Sequence, residues 1–567
     1  MMSHNSRTKR LAAPLCVALF ALTAALGAQT SPGQGQSVPQ VASPLAADAC
    51  GKLSGLKIDA TEIVSATSHE AEKPVDGVRT PGFGGTPGAG AQIAGLPSFC
   101  RVVGRIHPEA GSDIGFEVWL PQGGWNGRLH GIGVGGFAGL IDYRALSLAL
   151  KGGQVGVATD TGHRSSPRES AWAKNNPSAI RDYGWRAVHL STVAAKQLTK
   201  AFYGHGPAHS YFVGCSGGGR QGLVEAGRFP EDYDGIVSGA PAARLSDIAM
   251  SFTNVMQAQM PAGAAIRANQ TRLIQDEVLK QCDAADGQAD GLVADPRQCK
   301  FDAEKLACGK SKSPQCFSPA QVAALKRIYR GPRDSKGRPV APTYLPSGSE
   351  VGFPRPFNWE GYLLAGEGGI GAGKELAQGF IVDFAPKPYS TPETFNFDKD
   401  PATLRKVLGV DVDASPDLSR FFARGGKLIM WHGWADAAIP PENSLQFYSA
   451  MLKKSGGPAS QSSRLYMVPG VQHCTGGLGP DSFGQLNAPQ AGDTKANSMV
   501  AAVQHWVEKG EAPDAIVGRR DSSGLLGAPV KSPERERLLC RWPYKAVLKR
   551  GADPDKAASY SCTAVKG

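Results

Sequence analysis

Gly214-Cys215-Ser216-Gly217-Gly218 carries the spacing G-x-S-x-G. In a tight strand-to-helix turn, this spacing exposes a serine hydroxyl, and the flanking glycines leave no side chains to collide with it. The N–H groups that follow begin a helix, where they can stabilise a developing oxyanion. The pattern alone is common in a chain with 71 glycines among 567 residues. Its context carries more: a β-prone run (210–213) precedes it and a helix-compatible run (217–228) follows. A serine needs a base, and the base needs an acid to orient it. In hydrolases built this way the chain order is Ser, acid, His. Asp436 follows the apolar run 427–431, and His473 follows 464–468. Both stand where loops leave the carboxyl ends of strands, where α/β sites gather. The reading is nucleophile Ser216, acid Asp436 and base His473, with His432 and His163 as competing histidines.

Cysteines adjoin two of these residues: Cys215 precedes Ser216, and Cys474 follows His473. A bridge between them would set their Cα atoms ~4.4–6.8 Å apart and force Ser216 and His473 together. Two unrelated thiols are the alternative. The chain has 11 cysteines, and Cys16 lies in an apolar N-terminal run, which leaves an even ten. An even number favours disulfides in an oxidising compartment. The sequence leaves their connectivity open. Cys282/Cys299, Cys308/Cys316 and Cys540/Cys562 are natural short loops, and Cys50/Cys100 would pin the N-terminal segment.

Arg7, Lys9 and Arg10 precede the apolar run 11–26, and Ala25-Leu26-Gly27 places small residues at a cleavage site. Residues 1–27 therefore read as a signal peptide and 28–49 as a flexible mature N-terminus, with a retained anchor as the alternative. The protein is expected in a periplasm or outside the cell. No other stretch reaches ~18 apolar residues, so no membrane contact is expected after cleavage. Apolar residues make up 41% and charged residues 20%, which excludes a wholly disordered, collagen-like or coiled-coil chain. The net charge of +11 is not gathered into a Lys/Arg block, so no nucleic-acid partner is expected.

These residues need elements to position them. From about residue 128, short apolar runs alternate with helical patterns, as in α/β proteins. Strands are expected at 128–134, 154–158, 210–213, 235–238, 427–431 and 464–468. Helices are expected at 180–203, 217–228, 441–453 and 496–509. The regularity stops over 242–418, which is dense in Gly, Pro and Cys. The economical reading is one α/β core (50–241 and 419–567) with a large insertion. Gly131 to Gly136 fits the dinucleotide pattern G-x-G-x-x-G, but a clear acidic partner is missing. It reads better as an oxyanion loop, with Gly136 (or Gly135) and Gly217 as N–H donors. Residues 368–374 imitate a phosphate loop, yet Glu375 stands where Ser or Thr should hold magnesium, so no nucleotide is expected.

Together, Cys215-Ser216, Asp436 and His473-Cys474 resemble the tannase and feruloyl esterase family of α/β-hydrolases. Trp125-Asn126-Gly127-Arg128, the glycine-rich 131–139 and Gly433-Trp434-Ala435-Asp436 also resemble it, and the likeness runs from about Cys50 to Cys562. It implies an α/β-hydrolase fold, a Cys215–Cys474 disulfide, and a lid inserted between nucleophile and acid at 242–418. It also implies structural calcium in the lid, held by the side chains of Asp283, Asp286 and Asp290 and the carbonyls of Gln288 and Leu292. Three carboxylates in eight residues do suit a hard cation. Their spacing departs from an EF-hand, and a solvated acidic turn is the alternative.

The implied activity is hydrolysis of small aromatic esters: feruloyl, galloyl, or a terephthalate monoester in one branch. Phe353, Phe357, Trp359, Tyr362, Phe380, Phe384 and Tyr389 could stack on a planar acyl group, though a lid core accounts for most of them. Arg355 could pair with a substrate carboxylate, and Ile439 could face the pocket. A catalytically inactive binding module is the reading from another class. A serine peptidase is disfavoured by the paired cysteines.

Overall fold

The computed structural model describes residues 48–80, 90–137, 139–309, 316–348, 350–351, 357–364, 371–520 and 535–564. The signal-peptide reading (1–27), most of the 28–49 segment, Phe353 and Arg355 lie outside the described residues.

Nine strands form one sheet: β1 (Thr61–His69), β2 (Phe99–Ile106), β3 (Ile114–Pro121), β4 (Arg128–Ile132), β5 (Val155–Thr159), β6 (His209–Cys215), β7 (Gly235–Gly239), β8 (Lys427–Gly433) and β9 (Ser463–Val468). Their spatial order is β1-β2-β3-β5-β4-β6-β7-β8-β9. From β5 to β9 every pair is parallel, whereas β1, β2, β3 and β5 pair antiparallel. The central parallel strands are near-continuous apolar or small runs, buried on both faces. The sequence pattern places its first strand at residue 128, and the structure adds β1 to β3 ahead of it. β3 hides a charge among apolar neighbours, which obscures its period. Glu117 is buried there because Arg101, the Trp119 indole and the Tyr143 hydroxyl all donate to it, at 2.7–2.9 Å. Two C-terminal ribbons, Ala515–Arg520 with Arg535–Cys540 and Tyr544–Leu548 with Tyr560–Ala564, are also absent from the sequence reading.

The α/β-hydrolase core is interrupted by a large helical insertion between β7 and β8. Its helices include Leu245–Gln259, Thr271–Cys282, Pro319–Arg330 and Asp400–Gly409. Pro319–Arg330 starts where its sequence dictates: Ser318 and Gln321 cap each other's backbone N–H, with proline in the first turn. The insertion buries Phe252, Ile274, Leu325 and Leu404 in one cluster with Phe137, Tyr183 and Ile439 of the core loops. Packing therefore seats the insertion on the loops at the carboxyl ends of the parallel strands.

Among the described residues, five disulfides join Cys50–Cys100, Cys215–Cys474, Cys282–Cys299, Cys308–Cys316 and Cys540–Cys562. Among the described residues, no helix is long and apolar enough to cross a membrane.

Candidate active site

Ser216 occupies the turn between β6 and the helix Gly217–Arg228. Its backbone has φ 64° and ψ −124°, a left-handed conformation that is strained for a residue with a Cβ. Surrounding hydrogen bonds hold it there. Ser216 N–H donates to the Gly239 carbonyl (2.9 Å), while its own carbonyl accepts from Arg220 and Ala242 (3.0 Å each). The glycines permit a close approach: a Cβ on Gly214 would lie 2.5 Å from Gly218 backbone, and one on Gly218 would lie 2.8 Å from Gly133. Any side chain at these positions would push the helix away and swing Ser216 with it.

The loop after β4 closes over this turn. A Cβ on Gly217 would sit 3.3 Å from the Gly136 amide nitrogen, and one on Gly135 would lie 3.8 Å from Ser216 Oγ. Gly136 has φ +61°, and the Tyr183 hydroxyl donates to its carbonyl at 2.9 Å, fixing that peptide. Among the described residues, none accepts from the amides of Gly136 or Gly217. Two amide groups beside a serine hydroxyl can bind a developing oxyanion.

Asp436 and His473 follow the ends of β8 and β9. His473 Nδ1 donates to Asp436 Oδ2 at 2.8 Å, with both side chains buried. A carboxylate can only accept, so Nδ1 carries the proton and Nε2 is left as a base. The other carboxylate oxygen, Oδ1, accepts from the amides of Ala438 and Ile439 at 2.8 Å each. Burial alone would raise the Asp436 carboxyl. The charge of His473 and hydrogen bonds from His432 and His473 outweigh burial and hold it well below its ordinary value. The Cys215–Cys474 bridge, with Cα atoms 6.0 Å apart, ties the serine's neighbour to the histidine's neighbour.

The competing histidines fall elsewhere. His163 stacks on Trp172 (3.7 Å between centroids), and its Nε2 meets the Phe137 carbonyl at 2.8 Å. His432 lies against Asp436 rather than in place of His473. Of the aromatic residues, Trp359, Phe380 and Phe384 are buried in the insertion's own cluster. Tyr362, which also packs against that cluster, and Phe357 face the imidazole of His473, at 5.6 and 6.5 Å. Tyr389 packs against the insertion cluster. Ile439 is buried in that cluster too, and its backbone serves Asp436. No motif in the sequence marks Tyr183 or Tyr344. Tyr344 donates to the Ala438 carbonyl at 3.3 Å, bracing the acid's loop from the insertion.

Two groups have metal-ligand chemistry. In the acidic loop, Asp283 accepts from the amides of Gly291 and Leu292, Asp286 from Gln288, and Asp290 from Leu292. Burial and then the charges of Asp290 and Asp283 raise the Asp286 carboxyl, so three anionic groups repel on one turn. A hard cation that prefers oxygen would relieve that repulsion, but among the described residues these three carboxylates do not all bring their oxygens within 4.8 Å of one another. Asp290 is also drawn to Arg537 at 2.5 Å, a contact the ion would have to share.

The second group is His189, Glu225 and Asp232, whose ligand atoms lie within 4.8 Å of one another and could hold a metal ion. His189 Nδ1 and Asp232 Oδ2 are 2.6 Å apart, a hydrogen bond. Glu225 is buried, and among the described residues neither of its oxygens has a hydrogen-bond donor. Burial, then Asp232, push its carboxyl well above the ordinary value. The folded state thus keeps a proton that the unfolded state releases. Stability from this group is full below about pH 4 and is lost as pH rises through the raised value. Melting temperature measured against pH should show that fall, and Glu225→Gln should flatten it. An unchanged slope in the variant would move the cause elsewhere.

The fold and this site define an α/β-hydrolase of the esterase type. The family described as tannase and feruloyl esterase matches residues 100–563. The chain is 34% identical to an uncharacterized esterase of Xanthomonas campestris pv. campestris, over 91% of each chain. It is 31% identical to mono(2-hydroxyethyl) terephthalate hydrolase of Piscinibacter sakaiensis, over 84% of this chain and 86% of that one. The structure of feruloyl esterase B from Aspergillus oryzae superposes with a TM-score of 0.79 at 25% identity, covering 91% of this chain and 99% of that one. The chain belongs to the tannase and feruloyl esterase family, and ester hydrolysis is its general activity.

Proposed function

We propose that the protein is an exported serine carboxylesterase that hydrolyses esters of aromatic, phenolic acids, as feruloyl esterases do. His473 takes the proton of Ser216, whose oxygen attacks the ester carbonyl. The oxyanion lies between the amides of Gly136 and Gly217. Asp436 holds the imidazole in one tautomer and stabilises the imidazolium. His473 then protonates the leaving alcohol and activates water to release the acid from the acyl-enzyme. The observation that carries this reading is the His473–Asp436 pair, bridged through Cys474–Cys215 to a strained serine turn. Tyr362 and Phe357 beside His473 support a planar acyl group. Five disulfides, and a charged then apolar N-terminus, support export.

The test is a hydrolysis panel of methyl ferulate, methyl gallate, mono(hydroxyethyl) terephthalate and a short p-nitrophenyl ester. Methyl ferulate is expected to have the highest kcat/KM. Preference for gallate favours a tannase, and preference for the terephthalate monoester favours the specificity named for the Piscinibacter sakaiensis relative. Turnover of the p-nitrophenyl ester alone would sink the aromatic-acid reading.

Calcium belongs to the same proposal. Asp283, Asp286 and Asp290 would hold it with their carboxylates, and Gln288 and Leu292 with their carbonyls. Its role there is to neutralise the loop and stabilise the insertion. Chelation is expected to lower the melting temperature reversibly. An ion present at a hundredfold its dissociation constant contributes about 2.7 kcal/mol. Calcorimetric scans with chelator and then with added calcium would read this, and superimposable scans would remove the ion.

A further inference from the structure

His432 is the last histidine before the proposed acid and sits near the end of β8 with no solvent exposure. Its Nε2 lies 3.1 Å from Asp436 Oδ2 and 3.0 Å from the Ile439 carbonyl. Its Nδ1 lies 2.7 Å from Ser444 Oγ, on the helix Glu442–Ser455. Both neighbours of Nε2 can only accept, so Nε2 carries the proton, and Nδ1 accepts from the Ser444 hydroxyl. A histidine that only closed the β8 loop would need Ile439 and Ser444. This one points its Nε2–H at the Ile439 carbonyl and, from 3.1 Å, also faces the carboxylate oxygen that accepts from His473.

We propose that His432 is a positioning residue for the catalytic acid. The inference rests on the Ser216–His473–Asp436 reading and deepens it. Asp436 Oδ1 then accepts from two amides, and Oδ2 accepts from His473, with the Nε2–H of His432 shared between it and the Ile439 carbonyl. That arrangement fixes the carboxylate plane and aims one Oδ2 lone pair at His473 Nδ1. The His432 donor also weakens the proton affinity of Oδ2, so the proton stays on His473 Nδ1. It thereby limits how strongly Asp436 stabilises the His473 imidazolium. The other titratable groups with electrostatic influence on Asp436 are Tyr344 and Tyr362 of the insertion, and both are pushed upward by burial, so they stay neutral at working pH. Ser444 acts one step further out by holding the His432 tautomer.

The experiment compares His432→Leu, His432→Gln and Ser216→Ala with the wild type, on whichever ester it turns over, across pH. His432→Leu is expected to lower kcat by roughly 10–100-fold, as loss of a supporting hydrogen bond does elsewhere, with KM little changed. The acidic limb of its kcat/KM profile is expected to move to higher pH, because Asp436 without this donor favours a protonated His473. His432→Gln keeps an N–H near the Nε2 position and is expected to restore much of kcat and the wild-type limb. A folded His432→Leu with unchanged kcat and an unmoved limb would overturn the role. If His432→Leu does not fold, His432→Gln decides: a low kcat with an unmoved limb in a folded protein overturns it, and recovery with the wild-type limb supports it. Ser216→Ala separates the two levels. If it stays active, the triad reading fails. If it is dead and the leucine variant behaves like the wild type, only the role of His432 fails.

Discussion

Ser216→Ala is expected to lower kcat by about 10⁵–10⁶-fold while KM changes little. The alanine variant keeps the fold around the turn. The backbone bonds to Gly239, Arg220 and Ala242 do not involve the hydroxyl, and the flanking glycines already supply the close approach. What disappears is the atom that would form the acyl-enzyme. The proposed oxyanion donors would remain and still favour reaction with water, so a small residual rate is expected. Steady-state kinetics on the preferred aromatic ester reads the loss, and a burst of alcohol release in the wild type reads the acyl-enzyme. Near-wild-type turnover in the variant would remove Ser216 as the nucleophile.

The second large effect concerns the bridge between Cys215 and Cys474. These residues are separated by 259 positions, and they tie the end of β6 to the loop after β9. Cross-linking so long a loop removes roughly 5 kcal/mol of unfolded-state entropy in the chain model, and removal of native bridges commonly costs about 2–5 kcal/mol. The double variant Cys215→Ser, Cys474→Ser is therefore expected to melt well below the wild type. Its kcat should fall as well. Cys474 has φ +65°, and without the bridge the adjoining His473 loop loses its tie to the serine turn. A displacement of about 1 Å between reacting groups costs on the order of 100-fold. Calorimetry and kinetics on the same preparation separate the two effects. A variant with the wild-type melting temperature and kcat would show that packing alone aligns the loops.

The proposed calcium ion and Glu225 would act on stability rather than on the reacting atoms. Their places in the fold explain why. The acidic loop meets the C-terminal ribbons, where Arg537 reaches Asp290 and the Tyr560 hydroxyl reaches the Gln288 side chain at 3.1 Å. Loss of the ion would loosen contacts between segments some 250–270 residues apart in the chain. Glu225 lies on the helix that begins beside Ser216, yet two turns further along it. Burial and the neighbouring Asp232 hold its carboxyl above the ordinary value, in the same cluster as His189.

Much of the site was legible because its signals are local. The glycines around Ser216 mark a turn that needs small neighbours, and β-prone runs before Ser216, Asp436 and His473 mark strands that deliver loops to one edge. The insertion between β7 and β8 follows from where the apolar alternation stops and resumes, while the order Ser216, Asp436, His473 is that of hydrolases built on such a turn. β1 to β3 were not legible. Glu117 breaks the apolar pattern of β3, and its three partners come from β2, β3 and the following helix. The two C-terminal ribbons also went unread.

By itself, then, the sequence determined the α/β core, its interruption, an even set of ten cysteines and the candidate residues Ser216, Asp436 and His473. Tertiary structure alone decided which histidine meets which oxygen. His473 and His432 both reach Asp436 Oδ2, and Tyr183 and Tyr344 brace the loops on either side. It also separated Tyr362 and Phe357, which face the imidazole, from Trp359, Phe380 and Phe384, which fill the insertion's core. The physical reason is range. Strand and helix periodicity is written over a few neighbouring residues, whereas a hydrogen bond depends on how separate strand ends and a packed insertion are brought within about 3 Å.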